Sequence, residues 1–258
     1  MAHIICLINH KGGVGKTTST AGIAAGLNLL KKKVLMIDID PQANLTLHFG
    51  LPKNLDKSIY GALLGEYPLP VHEIKKGLDI VPSHFHLVGW EKEVSDEPGR
   101  ESFLRTAIEP IAAKYDYILI DCPPSLSLLP INGLSAANSI IIVVEPSAFA
   151  IDGMGNIFNA VNKVRTRINK DLTGCKILIV KYFSKKILHK DVESTVRENY
   201  KEQVFKTVVR TNVALEEAVM NRVDVFTYDS NSNGAKDYKC VCNEIIKEKQ
   251  WQKVSEKD

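Results

Sequence analysis

No stretch of the 258-residue sequence is long and apolar enough to span a bilayer, which excludes a protein built on membrane-crossing helices. The first residues read as a core strand rather than a signal peptide, so no secretory leader is expected. Cysteine is sparse and unpatterned. Cys6, Cys122, Cys175, Cys240 and Cys242 show neither metal-ligand spacing nor an even-numbered disulfide framework, which fits a reducing cytosol. The close pair Cys240 and Cys242 reads as two ordinary helix residues. Charge is nearly balanced, and a formal +3 is too mild to announce nucleic-acid binding by itself. Repeats and low-complexity linkers are missing too, so residues 1–250 read as one domain, and the charged tail over 251–258 is expected to fray.

What is present suits a single buried core. At 45% hydrophobic, a chain of this length can close one α/β domain. Apolar runs of strand length fall at 3–9, 33–38, 78–81, 117–121, 139–144 and 175–180. Helical patterns lie near 16–31, 100–114, 153–168, 188–200 and 234–249. The alternation predicts a mostly parallel, twisted sheet with helices on both faces.

Between the first strand and the first helix stands Lys11-Gly12-Gly13-Val14-Gly15-Lys16-Thr17-Thr18. The common phosphate-binding loop is G-x-x-x-x-G-K-[ST]. Gly15, Lys16 and Thr17 fill its last three places, but His10 stands where the first glycine belongs, and Lys11 adds a second basic side chain. Glycines at a helix N-terminus present free N–H groups and the positive end of the helix dipole to phosphate. In that setting Lys16 is expected to neutralise the β- and γ-phosphates and the Thr17 hydroxyl to ligate Mg²⁺. Lys11 needs a different job.

Two acidic strand ends complete the pattern. Tyr117-Ile118-Leu119-Ile120-Asp121 is an apolar strand ending in a carboxylate, the Walker B form, suited to holding the water shell of Mg²⁺. Val34-Leu35-Met36-Ile37-Asp38-Ile39-Asp40-Pro41-Gln42 is again a strand running into acids. The C-terminal ends of parallel strands share one edge, so Asp38, Asp40 and Asp121 should face the phosphates together. Asp40, just past the strand, is the candidate to orient or deprotonate an attacking water, and Asp38 is the candidate to support the metal shell.

The segments KGGVGKTT, DIDPQANLT and ILIDCPPS, in this order and spacing, resemble the ParA family of partition ATPases, within the P-loop ATPases of deviant Walker A type. Residues 204–238 also resemble that family's C-terminal region, so the likeness covers nearly the whole chain. The resemblance implies that Lys11 reaches across a nucleotide-sandwich homodimer to the phosphates held by the other subunit. It implies that Asp40 positions the hydrolytic water and that Asp121 is the Walker B acid. It further implies a cytoplasmic, Mg²⁺-dependent ATP hydrolase that associates with the nucleoid when ATP-bound. Such a dimer would coat nonspecific double-stranded DNA and be stimulated by a ParB-type centromere-binding partner.

The finer contacts follow the family less closely. Nonspecific DNA binding needs several basic side chains on one face. Lys181, Lys185, Lys186 and Lys190 cluster ahead of a helix, and Arg210 and Arg222 lie in the next region, which makes Lys185, Lys186, Lys190, Arg210 and Arg222 the candidate DNA contacts. Ala214 stands where family members carry a second DNA-binding arginine. The resemblance places adenine near Lys181-Tyr182-Phe183 and Val209 to Asn212. Two alternatives share the motifs: a MinD-like membrane-cycling ATPase, and an ATP-gated regulatory switch with little turnover. The first needs a C-terminal amphipathic anchor, and here Cys242, Ile245, Ile246 and Trp251 are interrupted by Lys247, Glu248 and Lys249, so no stable membrane anchor is expected. The second is disfavoured by intact Asp40 and Asp121. An iron–sulfur reductase of the nitrogenase type is disfavoured because Cys122 directly follows Asp121.

Overall fold

A seven-stranded sheet in the order β3-β4-β2-β5-β1-β6-β7 organises the molecule. The strands are β1 (His3–Ile8), β2 (Val34–Asp38), β3 (His72–Lys75), β4 (Leu78–Val81), β5 (Tyr117–Asp121), β6 (Ser139–Val144) and β7 (Gly174–Ile179). All pairings are parallel except the edge pair β3–β4. The coordinates come from a computed structural model that describes residues 2–148 and 150–248. The tail 251–258 and the anchor candidate Trp251 lie outside the described residues.

Successive strand residues point to opposite faces, and both faces are apolar, as a sheet covered on two sides requires. Cys6, Ile8, Leu35, Ile37, Ile118 and Ile120 belong to one fully buried core, and Ile5, Leu7, Val34, Met36 and Leu119 to the other. The first eight helices in chain order are α1 (Lys16–Leu29), α2 (Asn44–His48), α3 (Ile59–Leu63), α4 (Leu87–Glu93), α5 (Phe103–Ile108), α6 (Leu128–Ala136), α7 (Ala150–Arg167) and α8 (Ile187–Tyr200). They are followed by α9 (Val213–Met220), α10 (Val225–Asp229) and α11 (Asn233–Lys247). Residues of α5, α6, α7 and α8 pack into the first core, and α1 and α11 close the second. Among the described residues no helix is long and apolar enough to cross a membrane.

Every anticipated strand is present, with ends shifted by at most one residue. β3 was not anticipated: four half-exposed residues at an antiparallel edge carry no long apolar run. The helix expected over 100–114 breaks into a short 3₁₀ turn at Arg100–Ser102, α5 and a second 3₁₀ turn at Ala112–Lys114. Pro110 lies in the gap and has no N–H to donate. α6 escaped notice because LLPINGLSA is buried over most of its length and has no polar stripe to give a helical period.

α1 and α11 touch through glycine. A Cβ built on Gly22 would stand 2.6–2.7 Å from three ring carbons of Tyr238, and the Tyr238 hydroxyl meets Ser19 Oγ at 3.0 Å. Tyr238 is itself fully buried and cannot swing away. Gly22→Val should therefore lower stability by about 1–3 kcal/mol through overpacking. In thermal unfolding followed by circular dichroism that is a Tm drop of roughly 2–12 °C; an unchanged Tm would show that the contact yields freely.

Candidate nucleotide-binding and hydrolysis site

The phosphate loop occupies the turn from β1 into α1. Gly13 and Gly15 adopt φ of +73° and +96°, left-handed conformations that glycine reaches without a side-chain clash. Gly15 is the residue preceding α1, so the amides of the first turn face the loop. Asn9 pins the loop's entry: its amide donates to the Val143 carbonyl at 2.6 Å, and its Oδ1 accepts the Lys11 N–H at 3.0 Å.

The two lysines behave differently. Lys16 is 6% exposed and its ammonium donates to the Lys11 carbonyl at 3.3 Å. Burial lowers its pKa, opposed by the negative charges of Asp121 and Asp40. Lys11 is exposed, and among the described residues its ammonium makes no hydrogen bond or ion pair. One lysine is held inside the loop and the other projects from it.

The acids converge on the same sheet edge. Asp38 and Asp121 are partners in the β2–β5 register, and both are fully buried. Burial drives both carboxyls well above the ordinary carboxylate range, and each lies among further acid charge: Asp121 beside Asp38, Asp40 beside Asp121. Asp121 accepts from the Thr17 hydroxyl at 2.7 Å and the Thr20 hydroxyl at 3.2 Å. Thr17 and Asp121, predicted to share a divalent cation, are thus already in contact. Among the described residues no group of three or more His, Cys, Asp or Glu side chains forms a protein-only metal cage. A Thr hydroxyl beside one buried carboxylate instead suits Mg²⁺, which keeps several of its waters and uses substrate phosphates as ligands.

Asp38 and Asp40 divide their work in a way their spacing did not disclose. Both oxygens of Asp38 are engaged by its own loop: Oδ1 accepts the Asp40 N–H at 3.1 Å, and Oδ2 accepts the N–H and hydroxyl of Thr46 at 2.9 and 2.7 Å. Asp40 holds the Gln42 N–H on Oδ1 at 2.9 Å, and Oδ2 has no hydrogen-bond partner among the described residues.

Beside the loop opens a cavity of about 480 Å³, lined by Gly15 and Thr18 on one side and by Lys181, Phe183, Val209, Arg210 and Asn212 on the other. The two segments anticipated near adenine thus meet in one cavity that reaches the phosphate loop. Lys181, left unassigned within its segment, takes a left-handed φ of +52° and donates to the Gly13 carbonyl at 2.6 Å, with Glu145 3.9 Å away. No sequence pattern signals that contact.

The DNA candidates do not form one group. Lys185, Lys186 and Lys190 are exposed around the start of α8, and Lys186 also lines the cavity. Arg210 sits in the cavity wall, where Asp237 grips its guanidinium with bonds of 2.6 and 2.9 Å and also accepts its backbone N–H. Arg222 lies in the turn between α9 and α10, alongside Gly50. Among the described residues no cysteine belongs to a group of three or more potential metal ligands: Cys6 and Cys122 are buried thiols 3.1 Å apart, while on α11 Cys242 is buried and Cys240 exposed.

Residues 2–174 match a family model described as an AAA domain. The chain is 37% identical over 251 residues to the chromosome partitioning protein ParA of Myxococcus xanthus, covering 96% of this chain and 89% of that one. Among solved structures it resembles a cobyrinic acid a,c-diamide synthase from Mycobacterium smegmatis with bound ATP analogue and magnesium, with TM-score 0.87, 27% identity and coverage of 99% and 100%. It also resembles a putative plasmid partition protein from Borrelia burgdorferi bound to AMPPNP, with TM-score 0.82, 25% identity and coverage of 96% and 99%.

Proposed function

The chain belongs to the ParA family of partition ATPases, and on that premise we propose that it is a Mg²⁺-dependent ATP hydrolase whose ATP-bound form is a DNA-binding homodimer. The observation that carries this reading is the contrast between the buried, loop-held Lys16 and the exposed Lys11, whose ammonium has no partner among the described residues, on the same phosphate loop. A lysine beyond what one triphosphate needs, and aimed outward, is available to a triphosphate held by a second copy.

In this reading the amides of residues 12–17 and Lys16 cradle the phosphates, and the cavity walled by Lys181, Phe183 and Val209 to Asn212 takes the base. Thr17 and Asp121 would hold Mg²⁺, with Asp38 contributing charge behind Asp121; when bound, the ion screens the phosphate charges and steadies the charge that develops at the γ-phosphate. Asp40 orients the attacking water through its open Oδ2. Water adds to the γ-phosphorus as the bond to the β-phosphate oxygen breaks, the proton it loses passes to the open oxygen of Asp40, and Lys11 from the partner balances the negative charge on the leaving side. Hydrolysis removes the γ-phosphate and with it the charge that Lys11 bridges, so the dimer parts.

Nonspecific DNA is read through backbone phosphates by Lys185, Lys186 and Lys190, with Arg210 and Arg222 as further candidates. A ParB-type partner accelerates hydrolysis, and the cycle segregates or positions DNA in the cytoplasm, on the nucleoid while ATP is bound. Phosphate release measured with ATP and Mg²⁺ alone, with double-stranded DNA, and with DNA plus a ParB-type centromere-binding protein tests the proposal. Slow turnover rising only when DNA and partner are both present is the expected result. Rates that DNA and partner leave unchanged would refute partner-stimulated partition.

Lys16→Ala should weaken ATP binding roughly 100-fold or more, because it removes a charge-assisted contact to phosphate in a buried site. Titration with a fluorescent ATP analogue reads this directly, and wild-type affinity in the variant would remove Lys16 from the phosphate site.

A further inference from the structure

Asp40 is held by a closed ring of hydrogen bonds that reaches the neighbouring strand. From Asp38 at the end of β2, Oδ2 accepts the Thr46 hydroxyl at 2.7 Å. Thr46 Oγ1 in turn accepts the Ser83 N–H at 2.9 Å, just past the end of β4. The Ser83 hydroxyl donates back to the Asp40 carbonyl at 2.6 Å, and the Asp40 N–H returns to Asp38 Oδ1 at 3.1 Å. Asp38, Thr46 and Ser83 are all fully buried, so water cannot substitute for a lost member.

The ring grips Asp40 by both its N–H and its carbonyl, which fixes its backbone while leaving one carboxylate oxygen open. A loop that merely needed closing could use water or a single bond. Here β2 and β4, parallel neighbours with Ile37 opposite Val81, are tied through side chains beyond the end of their ladder. That geometry suits a residue that must place one oxygen to within a fraction of an ångström, since small misplacements in hydrolytic sites are costly.

We propose that Ser83 and Thr46, anchored on Asp38, are positioning residues that hold Asp40 in register for ATP hydrolysis. The inference rests on the assignment of Asp40 as the water-orienting group. Neither Ser83 nor Thr46 touches the nucleotide in this scheme; each acts through Asp40.

The test compares Ser83→Ala, Thr46→Val and Thr46→Ser in the full chain, measuring kcat, KM for ATP and thermal stability. Ser83→Ala and Thr46→Val should lower kcat about 10- to 100-fold, with KM for ATP within about two-fold of wild type. Thr46→Ser keeps the hydroxyl and should restore kcat to within about two-fold of wild type. In an Asp40→Ala background, Ser83→Ala should add less than about two-fold, because the group it positions is gone. The inference is overturned if Ser83→Ala and a folded Thr46→Val keep wild-type kcat while Asp40→Ala loses it. It is equally overturned if Ser83→Ala costs as much without Asp40 as with it, or if KM rises in step with the fall in kcat. Should Thr46→Val fail to fold, Ser83→Ala and Thr46→Ser decide alone. Normal turnover by Asp40→Ala itself is a separate result: it removes the assignment beneath the inference and the inference with it.

Discussion

An Asp40→Ala chain should bind ATP and dimerise yet hydrolyse about 10²- to 10⁴-fold more slowly, the range for loss of a positioned proton-handling group. The size follows from what the side chain does and does not do. Its carboxylate gives one oxygen to the Gln42 N–H and leaves the other without a hydrogen-bond partner among the described residues. The backbone of Asp40, by contrast, is held by Asp38 and Ser83 and does not depend on the side chain. Truncation therefore removes the water's partner while sparing the fold and the phosphate loop. Asp40→Asn should be nearly as slow, since it keeps the bond to Gln42 but not the charge. Single-turnover phosphate release with parallel measurement of ATP affinity separates the effects. Unaltered hydrolysis would deny Asp40 its role, and a joint loss of affinity and turnover would make the residue structural.

Much of this site was legible before any coordinates. Gly15, Lys16 and Thr17 form a local pattern whose backbone geometry is dictated within a few residues, and Asp121 closes a strand that could only be buried. That Asp38, Asp40 and Asp121 share an edge follows from parallel topology alone. What escaped reading depends on contacts between distant segments. Thr46 lay in view within DIDPQANLT, but its bond to Ser83 spans 37 residues. The fact that Ser83 follows β4 at the same sheet edge was a usable signal, though nothing distinguished it from an ordinary turn serine. Asp237 captures Arg210 across 27 residues, which no charge count reveals. The edge strand β3 and the buried helix α6 were missed for a simpler reason: one is too short to show alternation, and the other has no polar face.

The second large effect concerns Lys11. Two ATP molecules facing each other across a symmetric interface repel unless each meets positive charge from the opposite chain. Lys11 is suited to that task. Its backbone is fixed by Asn9, its side chain is exposed, and the phosphate lysine of its own loop is already Lys16. Lys11→Ala removes two such contacts per dimer. Truncating one member of a desolvated charge pair costs about 2–5 kcal/mol, so two cost about 4 kcal/mol or more, roughly 10³-fold or more in the dimer Kd. Nucleotide affinity of the monomer should fall far less, because Lys16 and the loop amides remain. Partner-stimulated hydrolysis should disappear with the dimer.

Sedimentation velocity of wild-type protein and Lys11→Ala, each with Mg²⁺ and a non-hydrolysable ATP analogue at saturating concentration, measures this directly. Wild type should sediment as a dimer with the analogue and as a monomer without it. Lys11→Ala should remain monomeric with the analogue bound. A Lys11→Ala chain that still dimerises with the analogue as wild type does would contradict the assignment of Lys11 as the residue that makes ATP a dimerisation signal.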